Sequence, residues 1–196
     1  MADGARIREG RRRETARRIT LCAQTLTRDH GLDGFTMDGL AEAVGVSRRT
    51  LFNYFPGKID AVLGDPFVLR DDHLAQFRAG GPTGDLVTDL GELGTTVLDQ
   101  FEYTPEQARL GREVFKAEPR LIGLVHQRFE HLAEQLETEI AAREREQHDP
   151  RRARVAVRLI AVLFGLSLDR FIAEPGGGEL IDHYAEYLQV TRALFH

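Results

Sequence analysis

Between Thr36 and Lys58 the chain gathers side chains suited to binding phosphates and base edges. Arg48 and Arg49 offer guanidinium forks that can bond guanine bidentately, Asn53 matches the edge of adenine or a phosphate, and Thr50 can bond either. Thr36, Tyr54 and Lys58 add hydroxyl and ammonium donors of the kind that meet a nucleic-acid backbone. Upstream, seven arginines (6, 8, 11, 12, 13, 17 and 18) face only Glu9 and Glu14. The net charge of −5 argues by itself against a polyanion partner, but its distribution does not. Met1 to Asp60 holds eleven Lys/Arg against eight Asp/Glu, or +3, which leaves −8 for the remainder. Such an asymmetry points to a local anionic partner.

Other chemistries find little support. None of the seven histidines falls in a HExxH or Cys/His ligand pattern. His126 and His131, five apart, fall on different faces of a helix, and Asp71-Asp72-His73 is contiguous and fans out. The single cysteine, Cys22, lies on an apolar stripe, where an inert thiol is expected, and its solitude favours a reducing compartment. Gly176-Gly177-Gly178 lacks the Lys-Ser/Thr of a phosphate loop. Neither an enzyme nor a bound metal or cofactor is expected. Val155 to Leu168, the most apolar run, is broken by Arg158 and falls short of the roughly 18 residues a span needs. With no secretion signal visible either, a soluble cytoplasmic protein is expected.

The elements that must position the basic residues are helices. Ile19, Cys22, Ala23 and Leu26 follow the i, i+3, i+4, i+7 stripe of an amphipathic helix ending near His30-Gly31, and Asp33-Gly34 reads as a turn. Met37, Leu40, Ala41 and Val44 repeat the spacing, with Thr36 as N-cap and Gly45 as stop. Ser47 caps a third helix carrying Leu51, Phe52 and Phe55, and Pro56 suits the first turn of a fourth. Longer helices are expected at 57–79 (kinked at Pro66), 84–101, 105–117, 119–146, 150–174 and 179–195, separated by Pro and Gly breaks. The fold class is therefore all-α, with about nine helices.

Two short helices, 37–44 and 48–54, joined by Gly-Val-Ser have helix-turn-helix spacing: Ala41 permits close approach, Gly45 accepts the turn, and Leu51 anchors the second helix. That second helix would enter the major groove. Here T-x-x-x-L-A-x-x-x-G-V-S-x-x-T-L-F-x-Y-F-x-x-K, following an amphipathic first helix, resembles the N-terminal domain of the TetR family of bacterial transcriptional regulators over Arg11 to about Leu63. The resemblance implies a DNA-binding domain over 1–57, with its helix-turn-helix at 36–55, and a helical ligand-binding and dimerisation domain over 58–196. It places Thr36, Tyr54 and Lys58 on phosphates, and Arg48, Arg49, Thr50 and Asn53 on bases or adjacent backbone; Ser47 and Phe52 complete the interface. Phe52 stands where tyrosine is frequent, which removes a hydroxyl contact, and Gly39 costs about 1 kcal/mol within its helix.

The same resemblance implies a homodimer on a palindromic double-stranded operator, acting as a repressor released by a small lipophilic inducer. Resemblance and apolar pattern together put the dimer surface on the last two helices, with Val157, Ile160, Ala161, Phe164 and Leu168 on one and Leu180, Tyr184, Tyr187, Leu188 and Leu194 on the other. The inducer would meet Phe67, Phe77, Phe101, Tyr103, Arg112, Phe115, His126 and Phe129, with His126 or Arg112 as polar anchor. Alternatives are a DNA-binding regulator without a small-molecule ligand, controlled by a protein or constitutive, an activator, and, more distantly, an enzyme.

Overall fold

The computed structural model describes residues 2–66, 68–99 and 103–195. Ten α-helices follow one another, with no strand among the described residues: α1 (Ala2–His30), α2 (Met37–Val44), α3 (Arg48–Tyr54), α4 (Lys58–Leu63), α5 (Asp71–Arg78), α6 (Leu86–Leu98), α7 (Pro105–Ala117), α8 (Pro119–Glu144), α9 (Pro150–Ala173) and α10 (Leu180–Phe195). The all-α class holds. One more helix appears than expected because the 57–79 segment is two helices rather than one kinked one. Gly64 closes α4 with a left-handed φ of 73°, its N–H bonded to the Asp60 carbonyl, and Pro66 then disfavours helix at Asp65. The chain re-enters helix only at Asp71. Pro56 likewise stands before the Gly57 N-cap rather than inside the first turn of α4.

The chain forms two compact units. The first comprises residues 1–66 and 109–126. Its core is made by Ile19 and Ala23 of α1, Leu40, Ala41 and Val44 of α2, Leu51 of α3, and Ala61 and Val62 of α4, with Leu32, Phe35, Val114 and Leu121 packed among them. The α1 stripe that the spacing implies is buried at Ile19 and Ala23 and half-buried at Cys22 and Leu26. Gln24, buried in this core, donates to the Val62 carbonyl at 3.0 Å.

The second unit comprises residues 67–108 and 127–196. Gly91 and Gly94 bring α6 against α10 so closely that a Cβ at either would overlap Leu188 or Tyr184. Asp89, fully buried, is held by Arg143 Nη2 at 2.6 Å and by the Thr83 hydroxyl and N–H at 2.6 and 2.8 Å. Arg143 also donates to the carbonyls of Phe77, Gly80 and Gly81, so the pair staples the 80–84 loop to α8. Val157, Ile160, Leu180, Tyr184 and Leu188, named from the sequence as candidates for a dimer surface, lie in this unit's own core. Their apolar area is already covered within the chain. Ala161 and Leu194 are exposed, while Phe164, Leu168 and Tyr187 are half-buried.

Candidate nucleic-acid interface

Local chemistry fixes the α2–turn–α3 geometry. Thr36 Oγ1 accepts the Gly39 N–H at 3.1 Å and starts α2, and Gly45, at φ 77°, ends it with its N–H on the carbonyls of Ala41 and Glu42. Ser47 Oγ then accepts the Thr50 N–H at 3.0 Å and starts α3. Leu51, fully buried, faces the core, which turns the opposite side of α3 to solvent.

Arg48, Arg49, Phe52 and Asn53 of α3 are all exposed. The Arg48 guanidinium is pre-positioned between the Asp38 carboxylate, at 3.1 Å, and the face of the Phe52 ring, 5.5 Å from its centroid. Phe52 is 41% exposed, so the ring that replaces a tyrosine serves as a platform for the arginine. Thr50 is half-buried and its hydroxyl lies 2.7 Å from Ser47 Oγ, which commits part of its bonding to the cap. Tyr54 is half-buried beneath Arg12, whose guanidinium lies 5.3 Å from the ring centroid. Lys58 is half-buried, 3.5 Å from Asp33 and stacked on Phe35. All nine named residues thus belong to the first unit, and the donors Arg48, Arg49 and Asn53 of α3 are open to solvent.

Residues 22–60 match the family model described as bacterial regulatory proteins, tetR family. The chain carries the TetR-family N-terminal module. This module makes it a DNA-binding transcriptional regulator. A search of curated proteins returns no match. No described helix is long and apolar enough to cross a membrane.

Sequence reasoning gave no individual contact to the arginines of α1, although the TetR module uses two of them directly. Arg12 covers Tyr54, and Arg18 donates to the Val44 carbonyl at 2.9 Å, satisfying one of the open carbonyls at the end of α2. The signal was the charge run; the faces on which its members fall follow only from where α1 packs.

The residues named for an inducer are less coherent. Phe67 and Phe101 lie outside the described residues. Phe77 is buried in the core of the second unit with the Arg143 guanidinium over its ring, 4.7 Å from the centroid. Tyr103 and Phe129 are half-buried in that unit, and Phe129 meets Phe164 at 6.1 Å. Arg112, Phe115 and His126 belong to the first unit, where His126 is exposed. Two polar groups that sequence reasoning did not assign to a ligand stand out in the second unit. The His183 ring is 1% exposed, edge-on to Phe171, and neither ring nitrogen has a partner among the described residues. The Tyr184 hydroxyl, equally buried, has none either. Burial, reinforced by the charge of Glu92, pushes its ionisation well above the ordinary tyrosine value.

Proposed function

We propose that this TetR-type regulator is a ligand-responsive repressor that binds a two-fold-symmetric operator as a homodimer, residues 1–57 contacting DNA and 58–196 carrying dimerisation and ligand response. The observation that carries the reading is the exposed face of α3, where Arg48, Arg49 and Asn53 stand free of the core on a helix whose caps and anchor fix its direction. Arg48, Arg49, Thr50 and Asn53 read base edges or adjacent backbone, and Thr36, Tyr54 and Lys58 hold phosphates.

A dimer is supported by apolar side chains left in solvent on the last two helices. Val155, Val162 and Leu166 fall on one stripe of α9, and Val190 and Leu194 on one stripe of α10, all exposed. Two such helices from each copy would close a four-helix bundle and set the recognition helices one DNA turn apart, about 34–36 Å. Response to a small molecule is supported by His183 and Tyr184, buried polar groups of the kind a ligand's polar end would satisfy. A ligand favouring another spacing of the two α3 helices lowers operator affinity by its preference for that state.

The test is selection of duplexes by the full-length protein from a random-sequence pool. Enrichment of a motif with two-fold symmetry and half-sites one turn apart is expected, and its loss with Arg48→Ala/Arg49→Ala ties it to α3. Enrichment of an asymmetric motif would remove the dimeric reading. No enrichment would remove the operator-binding reading itself.

A further inference from the structure

Helix α1 carries more positive charge than its packing uses. Arg8, Arg11 and Arg12 are related by steps of three and four residues, which return side chains to one face of a helix, and Arg18 lies two turns beyond Arg11. The two carboxylates of this stretch flank the stripe, and each is engaged by an arginine outside it: Glu9 lies 3.7 Å from Arg13, and Glu14 accepts from Arg17 at 2.9 Å. The stripe therefore keeps its charge. Among the described residues, Arg8 and Arg11 have no carboxylate partner, and residues 8–14 are exposed throughout.

Two contacts aim the stripe. Arg12 stacks on Tyr54, the last residue of α3, and Arg18 holds the final carbonyl of α2. The row of guanidinium groups thus extends from the ends of α2 and α3 along the free part of α1. Like charges so arranged repel one another, and a polyanion laid along the row would relieve this. Arg8 and Arg12 are about 6 Å apart along the helix axis, close to two phosphate steps of one strand at roughly 3.4 Å each.

We propose that Arg8, Arg11 and Arg12 form a second phosphate-binding element, which grips the DNA backbone beside the segment met by α3 and adds affinity without sequence preference. This rests on the DNA-binding reading above, and the experiment separates the two. Binding of the full-length protein to a random-sequence duplex of about 30 base pairs, three turns at roughly 10 each, is measured by fluorescence anisotropy. The salt series runs from about 50 to 200 mM. Arg8→Ala/Arg11→Ala is expected to reduce the slope of log K against log salt by about 2 per bound chain, and to weaken binding on the order of tenfold near 0.1 M. Circular dichroism checks that α1 stays helical. Arg13→Ala, whose charge Glu9 already meets, is expected to leave slope and affinity nearly unchanged. An Arg8/Arg11 variant equal to the parent, beside a weakened Arg48→Ala/Arg49→Ala variant, would overturn the arm and leave the α3 reading standing. An equal loss in Arg13→Ala would overturn the stripe in favour of diffuse charge. A parent protein that binds no duplex at the lowest salt would remove both.

Discussion

Lys58 Nζ lies 3.5 Å from the Asp33 carboxylate, so the ammonium proposed to meet a phosphate is held at rest by an acid of the α1–α2 loop. Asp33 is shared: Arg120, in the first turn of α8, donates to it at 2.9 Å. Hydrogen bonding and charge from Arg120, with Lys58 behind it, hold the Asp33 carboxyl below the usual carboxylate range. It therefore stays ionised throughout the neutral range and competes with DNA for Lys58. A movement of the first turn of α8 that altered the Arg120 bond would change how firmly Asp33 retains Lys58.

Asp33→Asn is accordingly expected to strengthen duplex binding severalfold and to steepen its salt dependence by up to about one unit, as one more cation becomes available to a phosphate. The gain should be the same at pH 6 and pH 8, since the Asp33 carboxyl, held below the usual carboxylate range, is ionised at both. Anisotropy against a random-sequence duplex reads both quantities. Weaker binding by this variant would mean that Asp33 positions Lys58 rather than withholding it.

Arg48 and Lys58 should fail differently. Arg48, braced by Asp38 and Phe52, meets base edges in the proposed complex, so Arg48→Ala should cost about 1–3 kcal/mol on the preferred sequence and relax preference at one position. Lys58→Ala should weaken all sequences alike and lower the salt slope by about 1. Phe52→Ala, which removes the platform, should reproduce part of the Arg48 loss without changing the slope. Parallel selections from a random pool with each variant distinguish these outcomes.

Periodicity and capping made much of this legible in the sequence. Thr36, Gly45 and Ser47 announce their roles because each is a local backbone requirement, met within four residues. The break between α4 and α5 was harder, because Pro66 fits either a kink or a stop. What decides is Gly64, whose left-handed turn sits against Thr20 of α1, a contact distant in sequence. The apolar stripes of α9 and α10 show the complementary limit. Period tells that Val157, Ile160, Tyr184 and Leu188 avoid water, but not whether they do so against their own chain or a second copy. The exposed Val162 and Leu166 were hidden in the same pattern, since only packing reveals which stripe is left over.

The Asp89–Arg143 pair should give the second unit an acid-labile staple. Burial alone would raise the Asp89 carboxyl, but bonds from Thr83 and from Arg143 outweigh it and hold the group below its ordinary value. A group depressed in the folded state stabilises fully above its unfolded value, near 4. That contribution is lost as pH falls through the lower folded value. Asp89→Asn leaves Arg143 buried without its counter-charge and should cost about 3 kcal/mol at pH 7. Thermal melts between pH 7 and pH 3 should show the parent losing stability below about pH 4 and the variant following a flatter curve. An unchanged melting temperature at pH 7 would mean the bonds to Phe77, Gly80 and Gly81 suffice for Arg143.

The apolar side chains that α9 and α10 leave in solvent give the proposed dimer its sharpest test. Val162 and Leu166 are 56% and 42% exposed, and neither belongs to the core of its unit, so a charge there should leave the folded monomer intact. Val162→Glu/Leu166→Glu is expected to sediment as a 22.0 kDa monomer where the parent sediments at twice that mass. Helix content should be unchanged. Duplex affinity should fall by on the order of a hundredfold, because two linked half-site contacts become one and the effective concentration of the second is lost. Exchanging Val157, a core residue of the same helix, should instead lower stability in proportion to the volume removed and shift association only as the fold weakens. A parent that sediments as a monomer at all concentrations, with the same duplex affinity as the variant, would assign the exposed stripe to another partner and leave each copy to bind a half-site alone.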